Sequence, residues 1–106
     1  MTVKLVVIYP RPNDIEAFET VYNQDHVPMA VAKLVGKTKI VATRVLGSPA
    51  GEPPFHRIAE VYFPSMEALE QCAASEGGKQ TIGNAVSISS GGAPVFLIAE
   101  EETFVF

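Results

Sequence analysis

The chain carries two histidines in 106 residues, and one stands two positions ahead of a proline, in Tyr22-Asn-Gln-Asp-His26-Val-Pro28. An imidazole with an ordinary pKa of about 6.5 can take and return a proton near neutrality. Tyr22 precedes His26 by four residues, so on a helix the two rings share one side. Pro28 supplies no backbone donor, and its ring clashes with the carbonyl of Gln24. Two readings of His26 follow. In the first it caps a helix end, where a donating or cationic ring suits the negative end of the helix dipole. In the second it projects into a pocket as a general acid or base, with Tyr22 orienting it or the substrate. His56, which follows Pro53-Pro54, reads as a surface or structural residue at a strand end, or as a polar contact to a ligand.

Other chemistry is thinly represented. Cys72 is the single cysteine, so no intrachain disulfide and no cysteine zinc motif exist. It falls on the apolar face of a helical pattern with no basic partner nearby, which reads as core rather than nucleophile. No GxGxxG or P-loop pattern occurs, and Gly77-Gly78 and Gly91-Gly92 read as turn glycines. Ser87, Ser89 and Ser90 lack a nucleophile-elbow context. His56 and Glu60 share a strand face but make a weak metal pair, and no metal site is expected.

The elements that must position these residues follow from periodicity. Val3 to Tyr9 reads as a strand stopped by Pro10-Arg-Pro12. Asn13 or Asp14 caps a helix whose stripe is Ile15, Phe18, Val21 and Tyr22. Glu16 and Glu19 suit its N-terminal half. Pro28 breaks or kinks that helix, and a second piece, Met29 to Leu34, ends at Gly36. Lys39 to Leu46 is a strand, residues 47–54 are a loop by composition, and His56 to Phe63 is the third strand. Ser65 caps a helix carrying Met66, Leu69, Cys72 and Ala73. Gly77-Gly78 interrupts it, and Thr81 to Ser89 forms a further short helix. Gly91 to Pro94 turns the chain into a last strand, Val95 to Ala99 or Glu100. The order β-α-β-β-α-β predicts an α+β, ferredoxin-like domain over residues 1–106, with a four-stranded antiparallel sheet and helices on one face.

Alternation then sorts the strand residues. Val3, Leu5, Val7 and Tyr9 oppose Lys4, Val6 and Ile8. Val95, Leu97 and Ala99 oppose Phe96 and Ile98. Both faces are largely apolar, whereas a sheet with one wet face should alternate. Something must cover the second face, and the same face of another copy is the simplest cover. In the third strand Arg57, Ala59, Val61 and Phe63 belong under the helices. His56, Ile58, Glu60 and Tyr62 then point the other way. If Arg44 shares that direction, it can pair with Glu60.

These spans also carry a resemblance. The run Ile8-Tyr9-Pro10, followed by Phe18, Tyr22 and His26-Val-Pro28, resembles the signature of the EthD family, named for ethyl tert-butyl ether degradation. Ala59-Glu-Val-Tyr-Phe63, Ser65, Glu67-Ala68 and Ala74-Ser-Glu-Gly77 resemble its second half. The resemblance implies a dimeric α+β barrel of small-molecule catabolism with an oxidoreductase character. Barrels of this group include cofactor-free monooxygenases, lactone isomerases and polyketide cyclases, which often use a pocket histidine. His26 matches the family histidine, Pro28 its proline and Tyr22 an aromatic position. The group also includes haem binders, for which His26 or His56 would be the ligand.

The expected function is a cofactor-independent enzyme of monooxygenase, isomerase or cyclase type acting on a small, partly apolar organic molecule. His26 and Tyr22 are the expected catalytic residues. Glu60, His56, Arg44, Tyr9 and Tyr62 are the expected substrate contacts. The alternative is a non-catalytic accessory or ligand-binding dimer of an oxidative degradation pathway. Composition narrows the partners. A net charge of -4 with scattered Lys and Arg excludes a nucleic-acid footprint. No apolar run approaches the roughly 20 residues needed to span a bilayer. The N-terminus lacks a signal-peptide pattern, and a cytoplasmic location is expected. The expected partners are a second copy and a small organic ligand.

Overall fold

The computed structural model describes residues 2–106. Four antiparallel strands form one sheet: β1 Thr2–Pro10, β2 Lys39–Arg44, β3 Phe55–Phe63 and β4 Val95–Glu101, in the order β2-β3-β1-β4. The helices are α1 Ile15–Val21, α2 Val27–Lys33, α3 Met66–Ala74 and α4 Glu76–Ile88. This is the ferredoxin-like plan that the periodicity predicts. Asp14 caps α1 by accepting from the Ala17 amide, and Ser65 caps α3 by accepting from that of Ala68.

Two breaks fall elsewhere than expected. Pro28 does not end the first helix. Residues Tyr22–His26 form a π-turn in which the Val27 amide donates to the Tyr22 carbonyl. That widened turn inserts one extra residue, so Pro28 enters the first turn of α2, where a missing N–H is tolerated. Nor does Gly77-Gly78 interrupt a helix, since both lie in the first turn of α4. The break is at Ser75, whose hydroxyl donates to the Cys72 carbonyl at 2.6 Å and accepts from the Gly78 amide at 3.0 Å. The glycines serve a close approach. A Cβ on Gly77 would collide with the Lys33 carbonyl oxygen, and one on Gly78 with that of Cys72.

The register assigns the faces. Under the helices, rows such as Ile40–Val61–Leu5–Ile98 and Ala42–Ala59–Val7–Phe96 cross the sheet. Two clusters fill the layer between. One holds Val3, Leu34, Val61, Phe63, Leu69 and Cys72, and the other Val7, Tyr9, Phe18, Tyr22 and Ala85, with Leu5 packed against both.

The opposite face carries no helix. Its rows are Lys39–Tyr62–Lys4–Ala99, Val41–Glu60–Val6–Leu97 and Thr43–Ile58–Ile8–Val95. Two of the three are mostly apolar, and Leu97 is 48% exposed. The tail beyond β4 leaves Phe104, Val105 and Phe106 in solvent as well.

Candidate active site

Three side chains from three elements meet between the helices and the sheet. His26, in the π-turn, is 7% exposed. Its Nδ1 lies 2.7 Å from Asn84 Oδ1 on α4, and its Nε2 lies 3.2 Å from the hydroxyl of Tyr9 on β1. An amide oxygen only accepts, so Nδ1 carries the proton and donates to Asn84. Nε2 is then the free base and accepts from the Tyr9 hydroxyl. Burial lowers the His26 pKa, and the Asn84 bond opposes it only in part. Burial also pushes the Tyr9 phenol well above its ordinary value. The resting pair is a neutral imidazole and a protonated phenol.

The capping reading of His26 therefore does not describe this ring. Both nitrogens meet side chains, and the helical rod runs on past it. Tyr22 is the neighbour that spacing indicated, but its role is different from hydrogen bonding. Its ring stacks on His26 at 5.8 Å between centroids, and the hydrogen bond comes from Tyr9.

These groups stand at the wall of a cavity between the helices and the sheet. It opens to solvent and leaves about 40 Å³ to the centres of water-sized molecules. Tyr9, Tyr22, His26 and Thr81 are its polar lining residues, and aliphatic side chains and Phe96 make up the rest. Thr81 spends its hydroxyl on the Gly77 carbonyl. No Lys, Arg, Asp or Glu lines the space.

The remaining expected contacts lie elsewhere. His56 does not share a direction with Ile58 and Glu60. A bulge between Tyr9 and Pro10 leaves Phe55 opposite Pro10 and Arg57 opposite Tyr9, so His56 has no partner in the register. The shift turns its ring toward α1. There it is 2% exposed, packs on Phe18 and donates Nε2–H to Glu19 at 3.0 Å. Arg57 makes two bonds to the same carboxylate, at 2.9 and 2.7 Å, with its guanidinium over the Tyr22 ring. Arg44 pairs with Glu19 at 3.9 Å, not with Glu60, because it sits opposite Arg57 on the helix side. Chiefly through Arg57, the Glu19 pKa falls to about 2. This ionic group buttresses the outer side of Tyr22.

Glu60 and Tyr62 lie on the uncovered face, away from the cavity. Glu60 pairs with Lys4, which also reaches Glu101 at 3.1 Å, and Tyr62 donates to Glu101. His56 and Glu60 thus face opposite sides of the sheet and cannot share a metal ion. Among the described residues no three of His, Cys, Asp and Glu converge as a metal-binding group. Tyr9 and Asn84 occupy both nitrogens of His26, and His56, 2% exposed with Nε2 held by Glu19, lines neither cavity wall where a haem could sit. The donor set does not fit haem ligation.

Asn84 and Glu19 are the positions that residue patterns missed. Glu19 was read only as a partner of the helix dipole. Nothing in the spacing around Asn84 connects it to His26, 58 residues away.

The EthD domain family matches residues 11–86. The chain belongs to the EthD family. An uncharacterised 11.0 kDa protein from the thcB-thcC intergenic region of Rhodococcus erythropolis is 30% identical to this EthD chain over 101 residues, covering 94% of it and 95% of the relative. The crystal structure of an EthD-family protein from Bacillus halodurans superposes with a TM-score of 0.88 at 33% identity, over 96% of this chain and all of that one. Two remoter structures share the fold. One is SnoaB, a cofactor-independent oxygenase from Streptomyces nogalater, with TM-score 0.66 and 13% identity over 98% and 96% of the two chains. The other is a dimeric ferredoxin-like protein of unknown function from Jannaschia, with TM-score 0.69 and 11% identity over 95% and 100%. No helix of this EthD protein, among the described residues, is long and apolar enough to cross a membrane.

Proposed function

We propose that this EthD-family chain is a cofactor-independent enzyme that removes a proton from a small, largely apolar organic substrate, with His26 as the base. The observation that carries the reading is the Tyr9–His26–Asn84 chain at the wall of a cavity without charged lining. A substrate O–H or acidic C–H meets the Tyr9 oxygen. As that proton transfers to Tyr9, the phenol proton passes to His26 Nε2. The product is a substrate anion and an imidazolium whose Nδ1–H stays on Asn84. The relay needs no open nitrogen on His26, and it supplies a base that is neutral at rest, as an apolar pocket requires. Tyr22, stacked on His26 and held from behind by Arg57, keeps the imidazole plane in place.

The anion has two outcomes. Return of the proton to a different carbon gives an isomer. Alternatively, an electron-rich carbanion reduces dioxygen directly, so that a CH2 group and O2 become a C=O group and water. The second outcome is supported by the fold shared with a cofactor-independent oxygenase. His56, Arg44, Glu60 and Tyr62 have no part in this step, since their side chains meet Glu19 or lie on the uncovered face.

The working unit in this reading is a pair of copies joined through the uncovered sheet face. Its apolar rows and the dimeric state described for a protein of the same fold support that assembly.

The test is a panel of phenols, quinols and 1,3-diketones assayed for oxygen uptake and for solvent-deuterium incorporation. Tyr9→Phe and His26→Ala should each lower the rate by about 10²–10⁴-fold. Turnover by His26→Ala at the wild-type rate would remove the catalytic role. The other reading, a binding protein without turnover, is favoured by the engagement of both His26 nitrogens within the chain. It becomes the result if ligands saturate the cavity and neither readout moves.

A further inference from the structure

A second cavity adjoins the first. It leaves about 90 Å³ to the centres of water-sized molecules and is lined by Phe63, Leu69, Cys72, Ala73, Gly78 and Ile98, among others. The two spaces share Leu5, Leu34 and Ile82, so these three side chains form the partition between them. The division follows the core itself, where one cluster gathers around Tyr9 and Tyr22, the other around Phe63 and Cys72, and Leu5 bridges them. Every ionisable group of the first chamber lies with Tyr9, Tyr22 and His26. The second chamber's one ionisable side chain is Cys72, whose thiol burial pushes toward the neutral form. Polarity is therefore graded across two adjoining spaces, with Tyr9, Tyr22 and His26 in one and hydrocarbon side chains with a thiol in the other.

We propose that the ligand is a neutral two-part molecule. A compact head with one acidic O–H or C–H sits at Tyr9 and His26, and an unbranched apolar tail passes between Leu5, Leu34 and Ile82 into the chamber at Leu69 and Cys72. Ile82 stands in the partition and must give way to the tail, so it governs tail selection. A ligand with a carboxylate or phosphate head is disfavoured, because no cation lines either chamber. The tail needs no polar group, since the second chamber has no hydrogen-bonding partner to offer beyond a thiol.

This inference rests on the proposed site, and the experiment separates the two. The probes are 4-n-alkylphenols from methyl to hexyl, titrated into the full chain while ring signals of His26 and methyl signals of Leu69 and Ile98 are followed by NMR. Each methylene that enters the second chamber should tighten binding about fourfold, and the longer members should shift Leu69 and Ile98. Ile82→Ala should raise the ratio of hexyl to methyl affinity. Ala73→Leu, which fills the second chamber, should bring that ratio toward one. If 4-methylphenol moves the His26 signals but affinity is flat along the series and Leu69 and Ile98 stay still, the tail chamber is wrong and the proton site stands. If no member moves the His26 signals, the site fails and the tail assignment goes with it.

Discussion

The Tyr9 hydroxyl lies 3.2 Å from His26 Nε2, although the two residues belong to a strand and to a π-turn of a helix. The separation is long for a hydrogen bond to an imidazole, and the phenol is fully buried. A bond of that kind can shorten as charge develops on the ring, which is what a relay needs.

Asn84 decides which nitrogen of His26 carries the proton. Replacing it with Asp puts a carboxylate 2.7 Å from Nδ1 and favours the imidazolium, so the His26 pKa should rise. In the unaltered chain it should lie below 6.5. Because the folded pKa is the lower one, neutral His26 contributes its stability in full above about pH 6.5, and the contribution is lost as the pH falls from there through the folded pKa. NMR titration of the ring gives the pKa directly. Denaturant midpoints at pH 7.5 and pH 5, for the unaltered chain and His26→Asn, should differ less at the lower pH.

Glu19 gathers His56, Arg57 and Arg44 on one carboxylate. Glu19→Gln leaves the partly buried Arg57 guanidinium with a neutral partner and should cost about 2 kcal/mol in urea unfolding at pH 7. The carboxyl titrates near 2 when folded against 4.5 ordinarily. Its contribution is therefore present above about pH 4.5 and lost as the pH falls toward 2. The unaltered chain and the Gln variant should converge in stability at the acid end. A gap that stays constant from pH 7 to pH 2.5 would contradict this.

Glycine to alanine inside an exposed helix ordinarily gains about 1 kcal/mol. Gly78→Ala should do the reverse here and lose about 2 kcal/mol or more, because the new methyl would meet the Cys72 carbonyl where α4 starts against the end of α3. Thermal unfolding settles the sign.

Leu97 stands beside Val6 on the uncovered sheet face, on the edge strand β4. Leu97→Glu should turn the expected dimer into a monomer in sedimentation-velocity runs and leave the helical circular dichroism unchanged. A wild-type chain that sediments as a monomer at tens of micromolar would remove the paired assembly altogether.

Strand alternation and helix periodicity are properties of neighbouring residues, and they determined the element order, the residue sets on the two faces of β1 and β4, a first cap at Asn13 or Asp14, the cap at Ser65, and the two-sided apolar sheet. The histidine beside Pro28 was visible for the same reason. What only the tertiary structure decided depends on relations between distant segments. The bulge opposite Pro10 turned His56 onto Glu19 beside Arg57. The cross-sheet register sent Arg44 to Glu19 and gave Glu60 to Lys4. The packing of α4 placed Asn84 on His26 and put Ile82 between two chambers. A backbone carries no local mark of which side chain another element will bring against it, so His26 stood out in the chain while its hydrogen-bond partners did not.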